Sequence, residues 1–267
     1  VSWRVVLLES RWSEVLADLV RRQGWEPVCA PAVAELAAPA EEVAGPLRRL
    51  CAREVDWAVF LTGVGAQRLY EAAGQLGMAE AFVDAVRQLP VAVRGPKPVA
   101  VLGRWGVRPQ VSAPSPHTTA ELCAALDRVD LAGRRVFVQH YGEPNRRLQD
   151  YLLQRGAETV DALPYRWALP QDTAPLVSAV RAVVAGQVDA LVVTSRPQVL
   201  HLFAVAEREG LGAALRAALN GRVVVAAVGP TSRATLEALG VRVAVSPEHP
   251  KMGPLVAALA SLRGREP

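Results

Sequence analysis

A chain of 267 residues is long for a single hydrophobic core and comfortable for two domains of about 130 residues each. With 51% hydrophobic and 21% charged residues it has the balance of an ordinary globular protein, which excludes a disordered polyelectrolyte. The net charge of +4 rests almost wholly on arginine, in short pairs such as Arg21-Arg22 and Arg146-Arg147, which excludes a nucleic-acid footprint and suits a small acidic ligand.

Along the chain, short apolar runs predict strands at Val5–Leu8, Pro27–Ala30, Ala58–Leu61, Val99–Leu102, Val136–Val138, Thr159–Ala162, Leu191–Val193, Val224–Val228 and Val241–Val245. They do not alternate with polar residues, so each strand is expected to be covered on both faces, as in a parallel sheet. Between them apolar residues recur at three- and four-residue spacing, for example Val15, Leu16, Leu19 and Val20, which predicts amphipathic helices. Gly24, Gly156 and Gly240 stand where such helices must end. No charged-then-apolar leader and no run long enough for a membrane span is seen, so a cytoplasmic protein with no membrane contact is expected. Cys29, Cys51 and Cys123 have no metal-like spacing and read as reduced thiols.

The chain also repeats itself out of step. Val55–Gln67 returns as Val188–Gln198, Lys97–Arg104 as Val223–Pro230, and Val111–Thr118 as Val245–Met252. Arg135–Pro164 is matched at the other end of the chain by Arg4–Pro31. One α/β domain is therefore expected to be continuous, 36–167, and the other to be assembled from 1–35 and 168–267. Each is expected to be a doubly wound parallel sheet. The chain crosses between them near Ala34–Ala40 and Arg166–Asp172, where Pro39 and Pro170 suit a two-stranded hinge.

Ligands of open α/β sheets sit beyond the carboxyl ends of the strands. The candidate binding residues there are Ser10, Arg11, Thr62, Gly63, Val64, Gly103, His140, Gly142, Thr194, Ser195, Arg196, Gly229, Thr231 and Ser232. Small and hydroxylic residues at helix starts let backbone N–H groups approach an anion, although Ser and Thr there also serve as plain N-caps. No GxGxxG, GxxxxGK[ST] or histidine pair at ligand spacing is present, so neither a dinucleotide nor a metal is expected. Tyr165, at the second crossing, is the candidate catalytic acid, against the plainer reading of a half-buried hinge tyrosine.

VVVAAVGPTSRATLEALGV (Val223–Val241), LVVTSRPQVLHLF (Leu191–Phe203), the permuted halves and Tyr165 together resemble the uroporphyrinogen III synthase family over essentially the whole chain. The resemblance implies two flavodoxin-like domains joined by a two-stranded ladder, with the active site in the cleft between them. It also implies cyclisation of hydroxymethylbilane, an acidic linear tetrapyrrole, with loss of water and inversion of the last ring, without metal or organic cofactor. Carried over to this chain, it marks Thr194, Ser195, Gly229, Thr231 and Ser232 as cleft residues and Tyr165 as the acid, in a protein expected to act as a monomer. Thr62-Gly63-Val64 and Gly103-Arg104-Trp105 depart from the family pattern, which puts hydroxyl roles in the first half in doubt. The rival readings are a two-lobed small-molecule sensor or binding protein without catalysis, and a different α/β enzyme acting on a phosphorylated metabolite.

Overall fold

The structure is a computed structural model describing residues 2–263, so Val1 lies outside the described residues. The chain opens with β1 (Arg4–Leu7), α1 (Ser13–Arg21) and β2 (Glu26–Cys29), then β3 (Ala34–Ala37). Next come α2 (Ala40–Cys51), β4 (Trp57–Phe60), α3 (Gly63–Gln75), α4 (Ala79–Gln88) and β5 (Val91–Val93). These lead to α5 (Pro96–Arg104), β6 (Val111–Ser112), α6 (Thr119–Leu126), β7 (Arg135–Gln139), α7 (Arg146–Gln154) and β8 (Glu158–Ala162). After β9 (Tyr165–Ala168) follow α8 (Ala174–Ala185), β10 (Ala190–Val193), α9 (Arg196–Arg208) and α10 (Gly212–Asn220). The last elements are β11 (Val224–Ala227), α11 (Pro230–Ala238) and α12 (Met252–Arg263).

Two compact units result, one formed by Val1–Ala34 with Ala168–Pro267 and the other by Glu35–Trp167. Both passages of the chain fall inside β3 and β9, which pair as a separate two-stranded sheet. The first unit carries the strand order β11-β10-β1-β2, with Val245 bridging to Ala226 in parallel beyond β11. The second carries β6-β5-β4-β7-β8. Every pairing within these four- and five-stranded sheets is parallel. Laid side by side, β2 answers to β8, β1 to β7, β10 to β4, and β11 to β5. The second unit is thus the first with its chain order permuted, which is why the repeat runs out of step.

Both faces of each sheet are covered, and this explains the unbroken apolar runs. In the first unit Val6, Leu8, Leu191, Val193 and Val225 face α8, α9 and α10, while Val5, Leu7, Ala190, Val192 and Ala226 face α1 and α12. In the second, Phe60, Val91, Val93, Phe137 and Val160 enter one core, and Val59, Leu61, Ala92, Val136 and Val138 the other.

Two strand expectations fail. Val99–Leu102 is helical, the middle of α5, because Gly95 stands extended as N-cap, Pro96 takes the first helical position, and Pro98 and Leu102 are buried four residues apart. A four-residue apolar run does not by itself distinguish strand from helix. The strand position belongs to Val91–Val93, so the true partner of Gly229-Pro230 is Gly95-Pro96 rather than Gly103-Arg104. Val241–Val245 contributes only the single bridge at Val245.

Candidate functional site

In a doubly wound sheet the crevice opens where strand order reverses. In the Glu35–Trp167 unit that point lies between the carboxyl ends of β4 and β7, and the residues there are Leu61, Thr62 and Gln139. Gln139 is fully buried, and its Oε1 accepts from the N–H groups of Leu61 at 3.1 Å and Thr62 at 3.0 Å. The Thr62 hydroxyl caps α3 by accepting from Gly65 N–H at 3.0 Å, and it also receives the Gln139 amide at 3.3 Å. A Cβ on Gly65 would lie inside the Gln139 carboxamide, and one on Gly63 would press on the Lys97 carbonyl at 2.7 Å. These glycines are therefore required by packing.

Tyr165, the first residue of β9, is 2% exposed, and its hydroxyl meets Thr62 Oγ1 at 3.3 Å. Burial pushes its pKa up to about 12; the hydrogen bond to Thr62 and the Arg94 charge act the other way, and the Glu35 charge acts with burial. Arg94 follows β5 and lies over the Tyr141 ring, 4.4 Å from its centroid. Burial lowers the pKa of this guanidinium. Tyr141 in turn contacts Trp167 of β9, ring centroids 5.4 Å apart. Gly142, at φ +48°, gives the indole room, since a Cβ there would fall within the Trp167 ring. Two phenols, a hydroxyl, an indole and a guanidinium are thereby linked across the ends of β4, β5 and β7 and along β9.

Of the expected residues in this unit, Thr62 and Tyr165 are brought together, Gly63 starts α3 and Val64 lies half-buried in its first turn. Gly142 acts through Trp167. Two residues need correction as ligand contacts. Gly103 is exposed within α5 and follows no strand. His140 is 1% exposed with both ring nitrogens engaged: Nδ1 accepts from Asn145 N–H at 3.0 Å and Nε2 meets Asp161 Oδ1 at 2.6 Å. An N–H pointing at Nδ1 assigns the ring proton to Nε2, so His140 pins the 140–145 loop from within. Burial opposes charge on Asp161, yet the hydrogen bonds from His140 and Thr159 hold its pKa below the usual carboxylate value. Arg94, Gln139, Tyr141 and Trp167 were not singled out from the sequence. Correct pairing of Gly95-Pro96 with Gly229-Pro230 would have placed Arg94 at a strand end.

The other unit offers a parallel arrangement at the ends of β1 and β10. Gln198, reaching back from α9, accepts from the N–H groups of Thr194 at 2.8 Å and Ser195 at 3.3 Å. Its amide nitrogen reaches Thr194 Oγ1 at 2.8 Å and Glu9 at 3.2 Å, and the Thr194 hydroxyl donates to Glu9. Ser10 Oγ accepts from Val33 N–H at 3.2 Å, and Arg11 is exposed beside Trp12. Ser232 is buried, its hydroxyl donating to Gly229 O at 3.0 Å. Arg196 and Thr231 line one shallow depression between α9 and α11. Among the described residues no group of three or more His, Cys, Asp or Glu side chains could hold a metal ion, and no helix is long and apolar enough to cross a membrane.

Comparison with known proteins adds the lineage. A mutant uroporphyrinogen III synthase of the extreme thermophile Thermus thermophilus superposes with a TM-score of 0.80, covering 99% of this chain and 100% of that one at 29% identity. The Helicobacter pylori uroporphyrinogen-III synthetase, 13% identical over 98% of this chain and 100% of its own, shares the fold with a TM-score of 0.59. The Bacillus subtilis (strain 168) protein YjjA, described as uncharacterized, is 30% identical over 96% of this chain and 94% of its own length. The family model described as uroporphyrinogen-III synthase HemD matches residues 14–257. With that match spanning nearly the whole permuted pair of sheets, the chain belongs to the uroporphyrinogen-III synthase family.

Proposed function

We propose that this chain is itself a uroporphyrinogen III synthase, closing hydroxymethylbilane to uroporphyrinogen III with loss of one water. The observation that carries this reading within the family is the contact of the Tyr165 hydroxyl with Thr62 Oγ1 at the strand-order reversal. In the first step the C–O bond of the hydroxymethyl group breaks as the pyrrole nitrogen lone pair pushes toward it, and Tyr165 delivers its proton to the departing oxygen, releasing water. A phenol of pKa about 12 keeps its proton at neutral pH. It is still a far stronger acid than water, so transfer to a leaving hydroxide runs downhill.

The azafulvene left behind is attacked by the substituted carbon of the last ring, and the spiro product fragments and recloses with that ring inverted. The proton lost on aromatisation restores Tyr165. Atoms balance with water as the only by-product, so the proposed reaction uses no electron or group carrier. Attack at the free carbon would give the uninverted isomer; choosing between the two is a matter of how the chain of rings is held, and orientation is where much of the barrier reduction is expected.

The test is incubation of the protein with enzymatically generated hydroxymethylbilane, followed by oxidation and separation of porphyrin isomers. The reading predicts predominantly type III. Type I alone, at the rate seen without protein, would refute it and favour a binding protein without catalysis.

A further inference from the structure

The proton transfer described above leaves the Arg94 guanidinium without a task. Its backbone is held by the sheet, its N–H donating to Phe60 O at 3.2 Å, so the side chain leaves a fixed strand end. Arg49, Arg155 and Arg166 of the same unit each meet a carboxylate, at 3.2, 3.0 and 2.5 Å. Among the described residues no carboxylate lies within 4.0 Å of Arg94. It rests instead on the Tyr141 ring and acts electrostatically on Tyr165. Stacking on an aromatic face leaves the edge of a planar guanidinium, with its paired N–H donors, open to a planar anion. Withdrawal from water without a counter-ion also disfavours the charge, which agrees with the lowered pKa of this group.

The geometry points to Arg94 as a carboxylate receptor that takes one acidic side chain of the tetrapyrrole in a two-pronged bond and so sets which ring lies against Tyr165. This rests on the functional reading above and deepens it. Neither the corresponding Val228 nor a lysine could serve, the first lacking charge and the second the planar fork. An anchor used alike in bound substrate and transition state raises KM when lost and leaves kcat nearly unchanged.

Wild type, Arg94→Met and Arg94→Lys are compared in two measurements. Binding of uroporphyrin III, a stable octacarboxylate, is followed by quenching of tryptophan fluorescence; turnover of hydroxymethylbilane gives KM and kcat. Arg94→Met is expected to weaken uroporphyrin binding and to raise KM by roughly 10- to 100-fold, with kcat changed by less than about threefold. Arg94→Lys recovers part of the affinity, and it carries the test should the methionine variant fail to fold. Unchanged binding in both variants, or a fall in kcat alone, overturns the receptor. A wild type that fails to bind uroporphyrin overturns it as well. A wild type that binds through Arg94 yet makes no type III product refutes the synthase reading while leaving the receptor standing.

Discussion

The two units carry the same strand-end device with different side chains around it. In each, a glutamine side chain accepts from two successive backbone N–H groups after the equivalent strands β10 and β4, and a threonine hydroxyl stands beside it. In the first unit that hydroxyl is spent on Glu9, so the group is satisfied internally and presents an acid. In the second it meets a phenol within the field of an arginine that has no carboxylate beside it among the described residues. The scaffold needs only the capped strand end; a few side chains then decide which groups stand beside it, a carboxylate in the first unit and a phenol acted on by both Glu35 and Arg94 in the second. A fold repeated within one chain therefore need not repeat its chemistry.

The sharpest way to break this comparison is to remove the phenol proton. Tyr165→Phe keeps the ring in its buried position and is expected to lower kcat by roughly 100-fold or more without abolishing turnover, as loss of a general acid does. Full activity in that variant would show that the second unit's hydroxyl pair is no more chemical than the first unit's. The capping glutamines supply the next test. Gln139→Leu and Gln198→Leu each strip the partner from two strand-end N–H groups and should each cost about 2–4 kcal/mol, read as a lowered denaturation midpoint. If only one of them destabilises, the two capping arrangements are not equivalent.

The smallest effects are pH dependences. Because the folded Tyr165 pKa is raised, to about 12 from 10.0, its contribution is fully present below pH 10.0 and is lost as pH rises toward 12. Wild type should lose stability across that window more steeply than Tyr165→Phe, and the rate should show no alkaline limb from this group below it. Asp161 runs oppositely. Its folded pKa lies below the ordinary 3.8, so its contribution is present above that value and disappears as pH falls through the folded one. Asp161→Asn should flatten the acid side of the stability profile. An unaltered acid profile in that variant would show that the tie from Asp161 to His140 carries no weight.

Much of the architecture was legible because it follows from local rules. Unbroken apolar runs such as Ala190–Val193 can be buried only between two layers, and the out-of-step echo of Arg4–Pro31 in Arg135–Pro164 could arise only from a permuted repeat. The site was less legible. Val99–Leu102 reads equally well as strand or helix, and misplacing it shifted the repeat by one element, putting Gly103 forward and hiding Arg94. His140 stood after a strand like the other candidates, yet Asp161 and Asn145, brought beside it by the fold, turn it into framework.

The order of residues alone determined the α/β class and the permuted duplication, since composition, periodicity and repetition are properties of the string. Which hydroxyl meets the Tyr165 phenol, that Arg94 rests on the Tyr141 ring with no carboxylate beside it among the described residues, and that His140 is sealed away were decided only by tertiary structure. Thr62 and Tyr165 stand 103 residues apart in the chain, and His140 and Asp161 stand 21 apart on two different strands, so no local pattern records such meetings.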